Sequence, residues 1–256
     1  MNGLENKKTD RTVAIVLAAG AGKRMHSTVA KQFILLGDRP ILCYSLDVFE
    51  RSNYIDEVIL VTSMDGLHFC KEMVEKYGYR KVSTITLGGK ERYHSVFNGL
   101  SAAMYEEDST VENLPKYVLI HDGARPFVTE EIIRKNMEAL ETDKACVTAV
   151  PSKDTVKIAD ENGYVASTPN RSLVWNMQTP QSFDFTLVYD AYKKLIREEE
   201  NILAKGIKIT DDAMVAELFE DVKIKLVEGS YRNMKITTPE DLEIAEGLLG
   251  SQEGID

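Results

Sequence analysis

No apolar run in this chain is long enough to cross a bilayer: stretches such as Val13 to Ala19 and Tyr117 to Ile120 fall far short of the ~20 residues a membrane helix needs. The first ten residues, MNGLENKKTD, lack an apolar signal-peptide core, so the expected location is cytoplasmic. Cysteine is scarce, with Cys43, Cys70 and Cys146 at long spacings and no CxxC. Neither a disulfide framework nor a zinc cage fits that pattern, and the three are expected to be small buried hydrophobes. Positive charge is in deficit: a formal net charge of -10 argues against a broad nucleic-acid-binding face. Any anionic ligand must then be held by a local cluster of cations. What is present suits a globular protein, since 256 residues at 43% hydrophobic and 28% charged can bury a sizeable core and exclude global disorder.

Short β-rich runs recur at Val13 to Leu17, Val58 to Thr62, Val82 to Thr86, Tyr117 to Ile120 and Cys146 to Val150. Between them, Ile41 to Arg51, Leu67 to Tyr77, Arg92 to Tyr105 and Thr129 to Glu141 carry apolar residues at helical spacing. The alternation predicts an α/β, Rossmann-like fold with a mostly parallel sheet flanked by helices, whose ligands gather beyond the carboxyl ends of the strands. The rhythm breaks between Pro151 and Phe183, where KDTVKIADENGYVAST reads as a β-hairpin around Glu-Asn-Gly. That hairpin is expected to protrude from the sheet as an arm and to pack on something, a second subunit or its own domain. Helices near Asp184 to Arg197, Asp211 to Phe219 and Pro239 to Leu249, and a strand at Val222 to Val227, complete the pattern.

The first strand runs into LAAGAGKRM, where Gly20 and Gly22 let backbone N–H groups approach phosphate oxygens with no Cβ in the way. It is not a P-loop, because Leu17 and Arg24 stand where that motif needs Gly and Ser or Thr. The dinucleotide fingerprint fails at its third glycine, where Met25 stands. Lys23, Arg24 and Lys31 instead place cations along a glycine-rich loop, a concentration suited to a triphosphate. Two readings of the glycines stay open on these residues alone, a phosphate-binding loop and a tight strand-to-helix turn.

LAAGAGKRM followed by KQF resembles the signature loop of sugar-nucleotide-type nucleotidyltransferases. GGKERYHSV, HDGARPFV, WNMQTPQSF, TDDA and VEGSYRNMKITTPEDL follow in the order and spacing of the 2-C-methyl-D-erythritol 4-phosphate cytidylyltransferases. The resemblance runs from about Val13 to Leu249. The related ribitol-5-phosphate cytidylyltransferases share most of these motifs, and TPNR is somewhat reminiscent of them. A catalytically silent nucleotide-binding regulatory subunit is the remaining alternative.

The resemblance implies one nucleotidyltransferase domain over 1–256, with a dimerisation arm at about 151–178, and attack by a polyol phosphate on the α-phosphorus of CTP. Such a phosphomonoester is mostly dianionic at neutral pH, so no general base is required. Positioning of two repelling anions and stabilisation of the phosphoryl oxygens are required. Arg24 and Lys31 resemble the family's transition-state cations. Asp122, at a strand's carboxyl end, is the candidate Mg²⁺ ligand, or else a cap on the following turn. Arg125 is expected to brace its loop through backbone carbonyls and His121 to be structural. Gly88, Gly89 and Ser95 resemble the cytosine pocket, or else mark only a helix start; Ala18, Ala19 and Gly20 would supply backbone contacts. Arg171, Thr210 and Lys235 match the grip on the polyol phosphate, with Thr210 alternatively the N-cap of the helix beginning near Asp211. The family's arm reaches into the neighbouring subunit, which implies a homodimer whose sites borrow Arg171.

Overall fold

The computed structural model describes residues 10–20, 30–104 and 114–250. In chain order the elements are β1 (Thr12–Ala18), β2 (Leu35–Leu36), β3 (Arg39–Pro40), α1 (Ile41–Arg51), β4 (Glu57–Thr62), α2 (Leu67–Tyr77), β5 (Val82–Leu87), α3 (Arg92–Ala102) and β6 (Tyr117–Asp122). They continue with α4 (Glu130–Leu140), β7 (Ala145–Pro151), β8 (Ile158–Ala159), β9 (Val165–Ser167), β10 (Trp175–Asp184), α5 (Phe185–Ala204), α6 (Asp212–Phe219), β11 (Lys225–Glu228) and α7 (Pro239–Gly250).

Side chains alternate across a strand, and β1 shows what that does here. Val13 and Ile15 enter one core with α3, α5 and α6, through residues such as Val96, Tyr192 and Val215. Ala14, Val16 and Ala18 enter another with α1, α2 and α4, through Leu46, Met73 and Ile133. Both faces of β1 are thus covered, which is why its sequence is continuously apolar. The three cysteines are free and buried.

Seven strands form the sheet in the order β11-β7-β10-β6-β1-β4-β5. β1 pairs in parallel with both β4 and β6, so the chain leaves β1 to one side and returns on the other. That reversal opens a crevice beyond the carboxyl ends of β1 and β6.

β10 corrects the sequence reading. Residues from Trp175 onward are not part of an excursion: Trp175 to Met177 pair antiparallel with β7, and Gln181 to Asp184 run antiparallel to β6 in the middle of the sheet. The register shifts between Met177 and Gln181, a bulge that accommodates Pro180 in a central strand. Smaller differences are that α5 continues to Ala204 and β11 begins only at Lys225. β8 and β9 pair around a turn in which Gly163 has φ +84°, and every residue of both strands is exposed. The hairpin therefore stands away from its own domain. Among the described residues no helix is long and apolar enough to cross a membrane.

Candidate active site

A cavity of about 460 Å³ lies in that crevice, lined by Leu17, Ala19, Gly20, Lys31, Gln32, Gly89, Lys90, Glu91, Arg92, Ser95, Asp122, Ala124 and Lys235. A second, of about 280 Å³, is lined by Arg92, Asp122, Arg125, Met177, Gln178, Thr179, Gln181, Thr210, Asp211 and Lys235. Arg92, Asp122 and Lys235 line both, so the two clefts share a wall.

The wall is a network of charges. Lys235 Nζ lies 2.7 Å from Asp122 Oδ2, and Arg92 Nε donates to Oδ1 at 3.3 Å. The two Nη groups of Arg92 fork onto Asp212 at 2.7 and 2.8 Å. Burial pushes the Asp122 carboxyl up, but the Arg92, Lys235 and Arg125 cations outweigh it and hold the group well below the usual carboxylate range. Asp122 is therefore a fixed anion at the head of β6.

Beneath it, buried His121 is aligned from both ring nitrogens. Its Nε2 lies 3.2 Å from the Arg125 carbonyl, which can only accept, and its Nδ1 lies 3.1 Å from Thr179 Oγ1. Thr179 Oγ1 also accepts the Asp122 backbone N–H at 3.1 Å. With Nε2 protonated and Nδ1 accepting, a neutral imidazole satisfies every partner. Burial lowers the His121 pKa to about 4, consistent with that neutral form. Arg125 braces the loop as expected, donating to the carbonyls of Asn233 at 2.8 Å and Met177 at 3.4 Å.

On the side of the larger cleft nearest β5, Ser95 Oγ accepts the Gly89 N–H at 3.1 Å and donates to the Glu91 carbonyl at 3.4 Å. Ser95 lies in the first turn of α3, as the helix-start reading has it, and also lines the cleft. A Cβ at Gly88 would lie 2.5 Å from Ala19 Cβ and 2.7 Å from Ser95 Oγ, so glycine is needed for β5 to approach β1 and α3. Ala19, Gly20 and Gly89 line the cleft, while Ala18 and Gly88, their neighbours in the chain, do not. Lys31 opens a 3₁₀ turn, and the next residue, buried Gln32, donates its amide to the Ala18 carbonyl, tying that turn to the end of β1.

The smaller cleft is floored by β10 and the start of α6. Gln181 Oε1 accepts the N–H groups of Asp212 at 3.0 Å and Ala213 at 2.8 Å, while its amide donates to Asp211 at 3.1 Å. The N-cap is Asp211, which accepts from Met214 N at 3.0 Å, so Thr210 is not the cap. Thr210 is exposed and lines the cleft. Lys31 and Lys235 line one cavity. Arg171 does not join them: it is exposed at the end of the arm, 3.4 Å from the Lys153 carbonyl, and lines neither cleft of its own chain. Arg24 and Gly22 lie outside the described residues. Sequence reasoning missed Arg92, and it placed Trp175 and Gln178 to Gln181 at the hinge of the arm, whereas Thr179 and Gln181 line the smaller cleft. Their only signal was membership of GGKERYHSV and WNMQTPQSF, since their partners lie far away in the chain.

Two cation-bearing clefts thus share a wall at the switch point of a doubly wound sheet. The profile of the 2-C-methyl-D-erythritol 4-phosphate cytidylyltransferase (IspD) family matches residues 12–251, and the chain belongs to that family. It is 45% identical over 241 residues to the cytidylyltransferase of that name from Lachnoclostridium phytofermentans, covering 94% of this chain and 97% of the relative. It is 44% identical to that of Clostridium kluyveri, covering 94% and 98%. Among solved structures, 4-diphosphocytidyl-2C-methyl-D-erythritol synthase from Anaerococcus prevotii superposes with a TM-score of 0.77 at 41% identity, covering 94% and 96%.

Proposed function

We infer that the larger cleft binds CTP, that the smaller one binds the polyol phosphate, and that Lys31 and Lys235 govern the transfer between them. The chain is a cytidylyltransferase that joins 2-C-methyl-D-erythritol 4-phosphate to CTP, giving 4-diphosphocytidyl-2-C-methyl-D-erythritol and pyrophosphate. The observation that carries the subsite reading is the shared wall of Arg92, Asp122 and Lys235.

The phosphomonoester dianion attacks the α-phosphorus, the new P–O bond forms, and the α–β bridging bond breaks with its electron pair leaving on pyrophosphate. Lys235 lines both clefts and so lies within reach of both anions, offsetting their repulsion. Lys31, in the turn tied to the end of β1, lines the larger cleft and supplies charge to the pyrophosphate as it leaves, the task the sequence also assigns to Arg24. Gly89 and Ser95, which line the larger cleft, would face the cytosine edge. Thr210 and Arg125 line the smaller cleft beside Lys235, and donors there hold the phosphate by charge-assisted hydrogen bonds.

Asp122 is the residue that would hold a Mg²⁺ ion, in competition with the Lys235 and Arg92 contacts its oxygens make here. No cluster of three potential metal-ligating side chains exists among the described residues. A single carboxylate suits an ion that keeps its water and takes further oxygens from substrate phosphates. When bound, the ion would neutralise phosphate charge. Chelation should abolish turnover and added Mg²⁺ restore it; unaltered turnover in excess chelator would contradict this assignment.

The arm supports a homodimer. Ile158, Tyr164, Val165 and Leu173 are 50%, 73%, 61% and 78% exposed, an apolar set that its own domain leaves uncovered. Arg171, useless to its own clefts, would then serve a partner's. Side-by-side turnover with CTP and each polyol phosphate tests the functional reading: 2-C-methyl-D-erythritol 4-phosphate should be strongly preferred, and preference for ribitol 5-phosphate would overturn it.

A further inference from the structure

Arg92 opens α3 beside the larger cleft, and its guanidinium reaches across to the first residue of α6 beneath the smaller one. Its anchor there is Asp212, which is 0% exposed. A carboxylate buried so completely needs fixed partners. Asp212 has them: both Nη groups of Arg92, and the Tyr192 hydroxyl, which donates to Oδ1 at 2.5 Å. Tyr192 is itself fully buried in the core between the sheet and α5. The guanidinium is thus held from below at two points. Its remaining edge, Nε, faces Asp122 Oδ1 at 3.3 Å, while Lys235 holds Oδ2 from the other side at 2.7 Å. Arginine is required for this geometry, because a planar fork serves two carboxylates in one fixed plane and an ammonium does not.

We propose that Arg92 is a positioning residue of the transfer: anchored on buried Asp212, it fixes the Asp122 carboxylate in the wall shared by the two clefts and so sets the two substrates in line. The proposal rests on the reading of those clefts as the CTP and polyol-phosphate subsites. It assigns Arg92 a role through Asp122, since three of its N–H directions are already committed to protein carboxylates. Loss of alignment should therefore appear in turnover, not in affinity.

The test uses the full chain and the variants Arg92→Lys, Asp122→Asn, their combination, and Tyr192→Phe, with thermal melts confirming folding and calorimetry measuring CTP binding. Arg92→Lys should lower kcat about 10- to 100-fold, with both KM values and the CTP dissociation constant within about threefold of the parent. Added to Asp122→Asn, it should cost less than about threefold more, because residues acting through one another are not additive. An unchanged kcat, a loss confined to one KM, or fully multiplicative losses would overturn the proposal. If Arg92→Lys does not fold, Tyr192→Phe reads the same chain of contacts: a kcat about threefold or more below the parent at unchanged KM supports it, and full turnover overturns it. Parental turnover in Asp122→Asn would remove the subsite reading and the proposal together. An inactive Asp122→Asn beside a fully active Arg92→Lys would remove the proposal alone.

Discussion

Lys31 and His121 show how differently two polar residues of one site are used. Lys31 lines the larger cleft, proposed above to take CTP, and its charge is assigned to the departing pyrophosphate. An interaction that strengthens in the transition state raises kcat more than it tightens ground-state binding. Lys31→Ala should therefore lower kcat by about 10² to 10³ while the CTP dissociation constant rises less than about tenfold. Single-turnover kinetics beside calorimetry measures both; equal losses would assign Lys31 to ground-state binding. His121 is buried and favours its neutral form. Burial takes it from the ordinary 6.5 to about 4, so between those values the unfolded chain binds more protons than the folded one. Stability thus rises with pH through this window and is lost as pH falls through it, by about 3 kcal/mol at most. Urea unfolding at pH 6.5 and 4.5 should show a shallower loss in His121→Gln than in the parent; equal slopes would contradict the neutral, buried assignment. Both residues stood out in the sequence, Lys31 by its place after the glycine loop. Arg92 did not, because its meaning lies in Asp122 and Asp212, which only folding brings to it.

β10 is the element that the sequence hid, for a physical reason. A central strand is usually a run of β-branched apolar residues, but Gln178, Thr179, Gln181 and Ser182 are all buried polar residues with hydrogen-bond partners. The strand reads as a loop because it is built to satisfy the site. Gln181 is the clearest case, since it accepts two N–H groups at the start of α6. Gln181→Met keeps the volume and strands those donors, which should cost about 2–4 kcal/mol of stability. On the proposed reading of the smaller cleft, which the start of α6 floors, it should also raise the KM for the polyol phosphate. Urea denaturation and steady-state kinetics would show it; parental values in both would contradict the role given to this strand. The apolar elements were legible by contrast. β1, β4 and β6 are buried on both faces, and the spacing of α1, α2 and α4 marks one side of each as core.

At the scale of the whole molecule, an acidic chain gathers its cations where two anions must meet, and the topology decides where that is. The α/β alternation announced a carboxyl-end site, but the switch point between β1 and β6 depended on strand order, which no local pattern encodes. The arm, legible as a hairpin from its Glu-Asn-Gly turn, is exposed and carries Arg171 away from its own clefts. If each site borrows Arg171 from a partner, Lys31→Ala and Arg171→Ala subunits, each nearly inactive alone, should recover about a quarter of parental turnover when mixed and reassociated, because half the dimers then hold one intact site. No recovery would contradict the shared site. The account as a whole depends on two substrates lying on either side of one charged wall. Its most direct test is a crystal structure with 2-C-methyl-D-erythritol 4-phosphate and a CTP analogue whose α–β bridging oxygen is replaced by methylene. The account predicts cytosine against Gly89 and Ser95, the triphosphate beside Lys31, and the phosphate of the second substrate near Thr210, with Lys235 between them. A second substrate bound in the same cleft as the nucleotide, or Lys235 turned away from both, would contradict it.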